Sequence, residues 1–466
     1  MLFLLALVAA LHGSIHAAPT IISAVPRDPF SSSDTSTTPG CVCPNTRSVW
    51  DIIWSCAATV FACSWVSVHP NIPAPGKKEW EVLLMRLELM VWTIIAPEMM
   101  ILWAIRQWLG ARKLSARYKD HAHWTMTHGY FLQMGGFMVH DGSRPRGILS
   151  PERMEALLQA RLIEFPAIAE EEINDRSKGD ALSKGLVLGQ TTWFIAQCIT
   201  RRAEGLIMTE LELVTLAFAS LNFCMHFFWW NKPLDVRTRV LIYAYDTPIP
   251  EKAYVLPKLS ISVFRDPTTT PENKPAKSAR FYSDVMVGFM LDIFIRWPWR
   301  SIKFACTRLG DMAEFAGRSN IVEDTQECVH SFYAMNTSDT ESNWIVGIVS
   351  VIGIIFGGIH CMGWSFLFPT RVEAVVWQVA SVIVTTVPVL MAVSVVSQSM
   401  CTPQTFCLEV FFEDPKEVLA TVAIYFGSPL YIIARLVLLI EALVALRYLP
   451  GEALLEVRWA PFLPLV

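Results

Sequence analysis

The sequence predicts an all-α protein, a bundle of about seven transmembrane helices with two extramembrane insertions. Of the 466 residues, 53% are hydrophobic and only 17% are charged, whereas soluble domains average roughly 25% charged residues. The apolar residues are concentrated in runs of about 20, the length of a helix that crosses a bilayer. The net charge is -4, whereas nucleic-acid-binding proteins usually carry an excess of basic residues. We therefore expect the lipid bilayer, and not a nucleic acid, as the partner.

The first 47 residues indicate entry into the secretory pathway. Residues 1–18 are apolar and end in small residues, which is typical of a cleaved signal peptide. An uncleaved membrane anchor is the alternative. Residues 19–47 are rich in Ser, Thr and Pro and predict an irregular luminal segment.

Seven apolar stretches predict the membrane spans. They cover about 49–68, 82–109, 181–200, 209–229, 344–364, 372–396 and 418–446. The second stretch is long enough to tilt, or to break at Pro97. At the start of the fourth stretch, Thr209 and Glu212 have the three-residue spacing of a capping box. We therefore divide the chain into 48–109 for the first two spans, 181–229 for a helical hairpin, 344–446 for the last three spans and 447–466 for a C-terminal tail.

Two polar insertions separate these spans. The insertion at 110–180 contains an amphipathic helix pattern in which Ser150 is the N-cap, Pro151 is the first helical residue, and Met154 lies on the apolar face. The insertion at 230–343 contains residues 281–299, an apolar stretch that also carries charges. We expect this stretch to form an interfacial helix, with an eighth span as the alternative.

Charged loops and processing signals predict the orientation of the helices. A luminal mature N-terminus and a cytosolic C-terminus place the short loops with Lys77, Arg201 and Arg371 in the cytosol, where short basic loops belong. The same count places the glycosylation acceptor Asn336 in the lumen. Basic residues crowd the end of the second stretch and oppose this scheme, unless that stretch is a re-entrant hairpin at Pro97 or the whole scheme inverts.

Four cysteines share the luminal side in this scheme. An oxidising compartment allows one or two disulfides among them, and the sequence leaves the pairing open. The candidates are Cys41, Cys43, Cys401 and Cys407.

Two ionisable residues lie deep within predicted spans, where a charge is costly and therefore suggests a function. Glu98 follows Pro97 near the middle of the second stretch, and Arg435 lies within the last stretch. We expect the two to pair. Transporters build substrate sites at interrupted helices of this kind, while a structural ion pair is the alternative.

Other polar residues give weaker candidates. His121, His123 and His128 have the residue type of an open zinc site, with a solvated loop as the alternative. Asp175 and Asp180 suggest a magnesium–diphosphate site, but the closely repeated aspartates that are typical of such sites are absent. No phosphate-binding glycine loop or nucleophile elbow occurs, so we expect no cofactor.

Several unusual strings occur in one order over the first half of the chain. They are PNTRSVWDIIWSC, APEMMILWAIRQWLGARKLSARY, WTMTHGYFLQMGGF, SKGDALSKGL, TELELVTLAFASLNF and WWNKPLDV. In these strings the chain resembles a large uncharacterised family of fungal multi-spanning membrane proteins. The resemblance implies fungal origin, an endomembrane or plasma-membrane location and a shared architecture, but no activity, cofactor or catalytic residue.

Three classes of function fit the sequence. The first is a transporter- or channel-like protein that handles a small molecule or ion at Glu98 and Arg435. The second is a membrane-embedded enzyme acting on a lipid or terpenoid, which requires the histidines and aspartates above to converge. The third is a membrane sensor or scaffold. The sequence does not decide the oligomeric state.

Overall fold

The computed structural model describes residues 46–141, 145–178, 181–245, 297–313, 327–400 and 426–457. Most of these residues are helical. The helices are α1 (Val49–Val66), α2 (Glu79–Ile95), α3 (Pro97–Ala122), α4 (Met126–Gln133), α5 (Pro151–Gln159), α6 (Glu170–Asp175), α7 (Ala181–Ala203), α8 (Glu210–Phe228), α9 (Trp297–Ala313), α10 (Asp339–Cys361), α11 (Arg371–Met400) and α12 (Ser428–Ala445). The strands are β1 (Phe137–His140), β2 (Pro145–Ile148) and β3 (Val240–Tyr243).

Several sequence predictions fall outside the described residues. They concern the signal peptide at 1–18, the segment at 19–45, the stretch at 281–296, and the residues Cys41, Cys43, Cys401, Cys407 and Asp180.

Five of the described helices are long and apolar enough to cross a membrane, namely α1, α8, α10, α11 and α12. A sixth candidate is the pair α2 and α3, whose axes differ by 111°. The chain breaks where sequence analysis allowed it, because Pro97 begins α3 and has no amide hydrogen to continue the ladder of α2. Helix α7, which was expected as the third span, is not among these candidates in the described chain.

One end of the bundle is defined by contacts around Lys232. This residue follows α8, and its ammonium donates hydrogen bonds to the carbonyl oxygen of His69, just after α1, and to Gln107 in α3. Trp103 in α3 donates its indole N–H to the carbonyl of Tyr333, shortly before α10, at 3.0 Å. We name this the Lys232 end.

The opposite end holds the residues before α1 and after α12. Thr46 and Leu455 form an antiparallel β-bridge, and the amide of Arg47 donates to the carbonyl of Leu454 at 2.7 Å. Arg201, near the end of α7, donates to the carbonyl of Leu455 at 2.7 Å. We name this the Thr46 end.

The positions of these ends differ from the arrangement that seven spans imply. Thr46 and Leu455 meet at one end of the described bundle, whereas an odd number of end-to-end helices between them would place them at opposite ends. Arg201 and Arg371 lie at the Thr46 end, the latter beside the ion pair between Glu373 and Arg447, whereas the chain near Lys77 lies at the Lys232 end. The expected grouping of these basic loops on one side therefore fails.

Helices α2 and α3 form a hairpin that both starts and finishes at the Lys232 end. Oε1 of Glu79, the first residue of α2, lies 3.3 Å from Nη1 of Arg237, which follows Lys232 by five residues in the chain. Lys113 in α3 forms a 2.6 Å ion pair with Glu341 at the start of α10. Residues 82–109 were expected to cross the bundle from end to end. Instead, α2 runs into the bundle from the Lys232 end, the chain breaks at Pro97, and α3 runs back to the same end.

A second hydrophobic core lies beside a small sheet. Strand β1 pairs antiparallel with β2 and parallel with β3, in the order β2-β1-β3. The apolar face of α5 packs into this core, with Met154 fully buried. The helix begins as the sequence predicts, because the Ser150 hydroxyl accepts a hydrogen bond from the amide of Arg153 at 3.1 Å.

Candidate functional site

The candidate site forms where the break in the α2–α3 hairpin meets α12. Glu98 lies in the first turn of α3, where the helix dipole favours a negative charge. Arg435 donates a hydrogen bond from Nη1 to Oε1 of Glu98 at 2.7 Å. Tyr431, one turn earlier on α12, donates its hydroxyl to the same oxygen at 2.7 Å. All three side chains are buried, so the charges are paired within the bundle interior.

Helix α10 supplies the third wall of this site. The guanidinium carbon of Arg435 lies 4.1 Å from the ring centroid of Phe356, within the range of a cation–π interaction. His360 lies one turn further along α10, and its Nδ1 donates to the carbonyl of Phe356 at 2.9 Å. An aromatic ring therefore stabilises the cation in addition to the carboxylate.

The second carboxylate oxygen of Glu98 is not satisfied by the described protein atoms. Oε2 is buried and has no hydrogen-bond partner among them. A buried polar atom without a partner costs roughly 1–3 kcal/mol, so such an atom suggests that a donor is bound there at some stage. The arrangement is thus able to accept a hydrogen bond or a positive charge from a ligand.

A second buried cluster surrounds Lys232, which the sequence analysis quoted only within the string WWNKPLDV. Its ammonium donates to Gln107 Oε1 at 2.8 Å, to Asn71 Oδ1 at 3.3 Å and to the carbonyl of His69. The rings of Trp103 and Trp229 lie 4.6 and 5.0 Å from its nitrogen. All three ammonium protons are therefore directed at oxygen atoms, between two indole faces.

Lys232 has no carboxylate partner among the described residues. Burial lowers the pKa of Lys232 well below its ordinary value. The hydrogen bonds and indole faces favour the ammonium form in the opposite direction. Since Lys232 is fully buried and its donors are all used, its geometry fits a clamp between α1, α3 and α8 better than a nucleophile.

The histidine candidates do not form a metal site in the described chain. His128 accepts a hydrogen bond at Nδ1 from the amide of Thr125 (3.1 Å) and donates from Nε2 to the carbonyl of Ile168 (2.9 Å). Both ring nitrogens are therefore occupied, and His128 has no lone pair for a metal. His123 is exposed at the end of α3, and His121 lies in the last turn of that helix. No group of three metal-binding side chains occurs among the described residues.

The remaining candidates are placed as follows. Asp175 is exposed at the end of α6, away from the buried Glu98. Asn336 is exposed just before α10, at the Lys232 end, which is the end opposite Thr46. Glu212 forms the capping box with Thr209 that the spacing predicts, and it also pairs with Arg47.

Comparison with known proteins gives one match, which covers about the first half of the chain. Residues 21–251 match a family model described as a family of unknown function (DUF8562). No curated protein and no solved structure matches the chain. The match is consistent with the resemblance to an uncharacterised family.

The matched range contains Glu98 and the whole cluster around Lys232, whereas Arg435 and Tyr431, the partners of Glu98, lie beyond it. Sequence reasoning singled out Glu98 and Arg435 because charges within apolar stretches are conspicuous. Lys232 was not conspicuous in the same way, because it follows the apolar stretch of α8 and does not interrupt it. Its only unusual sequence feature is that two tryptophans precede it closely and a proline follows it.

Proposed function

We propose that this chain is a multi-pass membrane protein of the transporter or channel type, which moves a small molecule or ion past Glu98 and Arg435. One observation carries the proposal: the α2–α3 hairpin breaks inside the bundle and presents Glu98 at the start of α3. Transporters place their substrate and ion sites at such interrupted helices, because the break frees helix termini to bind charge. The unpartnered Oε2 of Glu98 supports a bound cation or hydrogen-bond donor at this point.

The proposed topology has a re-entrant α2–α3 hairpin. Helices α1, α7, α8, α10, α11 and α12 then cross the membrane, an even number, which agrees with positions 46 and 455 meeting at one end. A cleaved signal peptide makes the Thr46 end luminal and the Lys232 end cytosolic. This orientation also removes the objection raised by the basic residues of α3, because Arg112 and Lys113 then lie on the cytosolic side.

The resemblance completes this proposal. It favours a fungal origin and a location in the endoplasmic reticulum or the plasma membrane, reached through the secretory pathway. A purely structural role for the buried pair is the competing explanation, and it predicts that water and solutes never reach Glu98.

Cysteine accessibility distinguishes these two explanations without knowledge of the solute. In full-length protein whose native cysteines are replaced by serine, Glu98→Cys is expected to react with a small hydrophilic thiosulfonate in proteoliposomes. The matched control is Met100→Cys, because Met100 is fully buried on the same helix two residues later and is expected to stay unmodified. A Glu98→Cys variant that is folded by size-exclusion chromatography but does not react would overturn the proposal.

A flux measurement then tests transport itself. Proteoliposomes are given separate gradients of protons, sodium, potassium and chloride, each with an entrapped dye that responds to that ion, and are expected to show flux of at least one of them through the wild type. Glu98→Gln keeps the shape of the side chain and removes its charge, so it is expected to reduce that flux at least about tenfold, the effect of losing one charge-assisted hydrogen bond. Equal flux in both proteins would contradict a role for Glu98.

A further inference from the structure

Three basic side chains from three segments meet near the Lys232 end, apart from the Glu98 site. His69 follows α1, His226 lies near the end of α8, and Lys184 lies near the start of α7. The ring centroids of His69 and Trp229 lie 5.9 Å apart, and the next residue, Trp230, accepts a hydrogen bond from the Lys184 ammonium at its carbonyl. His226 lies one helical turn before Trp230, so the three side chains form one cluster.

No carboxylate among the described residues balances this cluster. The groups that act on His69 are cationic or backbone, and none of the groups that act on His226, Lys184 or Lys232 is acidic. Burial and the charge of Lys184 together lower the pKa of His69 well below its ordinary value. His69 is therefore neutral in the protein alone, and the positive charge of the cluster is that of Lys184, which has no carboxylate partner among the described residues although buried charges are ordinarily paired.

The cluster also contains unpartnered polar atoms. Nε2 of His69 and Nε2 of His226 are both buried and have no hydrogen-bond partner among the described atoms, and the two residues are 0% and 3% exposed. Asn222, one turn deeper on the same face of α8, is 0% exposed, and its amide nitrogen and oxygen also have no partner. Three neighbouring side chains therefore offer hydrogen bonds that the described chain does not use.

The geometry points to a binding site for a phosphate group, formed by His69, His226 and Lys184. A phosphate supplies the negative charge that the cluster lacks and several acceptor oxygens for the ammonium and imidazole groups. Nδ1 of His69 donates to the carbonyl of Ser67 at 2.9 Å, so neutral His69 has its lone pair on Nε2. A phosphate shares a proton with that nitrogen, either from its own O–H or by protonation of the ring on binding.

The surroundings suggest a lipid headgroup as the source of this phosphate. Lys184 is only partly buried; its ammonium donates to the carbonyl of Trp230 at 2.8 Å and lies 5.8 Å from the Trp230 ring centroid. The Trp230 side chain is itself 55% exposed. Tryptophan and lysine at the ends of membrane helices lie at headgroup depth, and basic pockets between membrane helices bind anionic headgroups. Free phosphate offers the same chemistry, and the experiment separates the two sources.

The test measures ligand-induced stabilisation of the full-length protein in detergent micelles. Thermal unfolding is followed by tryptophan fluorescence while dihexanoyl phosphatidic acid, inorganic phosphate or dihexanoyl phosphatidylcholine is added. We expect phosphatidic acid to raise the Tm in a saturable manner and phosphatidylcholine to have no such effect. Saturable stabilisation by inorganic phosphate alone supports the site and assigns it to free phosphate.

Two variants locate the binding. Lys184→Met and His226→Gln are each expected to weaken the apparent affinity about tenfold or more, because each removes a charge-assisted hydrogen bond. Lys178→Met, at an exposed lysine a few residues before α7, is the matched control and should bind like the wild type. The inference is overturned if neither phosphate compound stabilises the wild type, if both cluster variants bind normally, or if Lys178→Met loses as much affinity as Lys184→Met.

This inference is independent of the proposed transport function. The phosphate site rests on α1, α7 and α8, whereas transport rests on α3 and α12. Equal flux in Glu98→Gln and the wild type, with normal stabilisation by phosphatidic acid, would contradict only the transport proposal. Reduced flux in Glu98→Gln, with no stabilisation of the wild type by either phosphate compound, would contradict only the phosphate site.

Discussion

Nη1 of Arg435 lies 2.7 Å from Oε1 of Glu98, and this contact joins the break in the α2–α3 hairpin to α12. Removing one partner of a buried ion pair leaves the other charge uncompensated, which costs about 3–5 kcal/mol. We therefore expect Arg435→Leu to be strongly destabilising alone, and less so in combination with Glu98→Gln. A double-mutant cycle of unfolding free energies in detergent checks this coupling. Additive effects of the two changes would contradict an energetically significant pair.

Lys232 gives the second prediction. Lys232→Met keeps most of the side-chain volume but leaves the carbonyl of His69 without its donor, whereas the amide oxygen of Asn71 still accepts from Gln107. We expect a loss of about 1–3 kcal/mol of unfolding free energy, the cost of one buried acceptor left unpaired. Lys77→Met, at an exposed lysine of the same end of the bundle, should change stability little. Unchanged stability of Lys232→Met would show that desolvation of the ammonium cancels its hydrogen bonds.

Two neighbouring glycines of α10 provide the third prediction. A Cβ added at Gly357 would lie 2.7 Å from the Cα of Thr385 in α11, whereas a Cβ at Gly358 would meet no atom within 4 Å. Gly357→Ala is expected to cost about 1–3 kcal/mol, because the two helix backbones have to separate. Gly358→Ala is expected to be neutral or stabilising by up to about 1 kcal/mol. Thermal unfolding of both variants checks the difference, and equal effects would place the close helix contact elsewhere.

The fourth prediction concerns sidedness. Because Thr46 pairs with Leu455, epitope tags placed before residue 46 of the mature chain and after residue 466 should be accessible from the same side of sealed microsomes. Asn336 lies at the other end of the bundle, so it should remain unglycosylated if the tags are luminal. Protease protection of the tags, combined with a mobility shift after endoglycosidase treatment, checks both statements. Tags on opposite sides would contradict the described pairing.

The sequence predicted the features that depend on neighbours within one or two helical turns. The N-cap at Ser150 and the capping box of Thr209 and Glu212 were readable because both partners lie three residues apart. The break at Pro97 was readable because proline cannot donate a backbone hydrogen bond. Glu98 and Arg435 were conspicuous as charges within apolar stretches, and their pairing was a natural consequence of the cost of burying either alone.

The sequence failed where the direction of a helix mattered. A proline break allows the following helix to continue across the bundle or to turn back, and the local sequence is the same in both cases. The return of α3 follows from contacts such as that of Lys113 with Glu341, 228 positions apart. The error in the hairpin then reversed the expected side of the C-terminal half.

The sequence by itself determined that this chain contains long apolar helices, that α5 begins after Ser150, and which charges are expensive within the apolar stretches, since hydropathy, capping and desolvation act on local composition. Only the tertiary structure decided that α2 and α3 return to one end, that positions 46 and 455 meet, and that Lys232, His69 and His226 are buried near one another. Those features depend on contacts between residues far apart in the chain, and such contacts are selected by packing of the whole bundle.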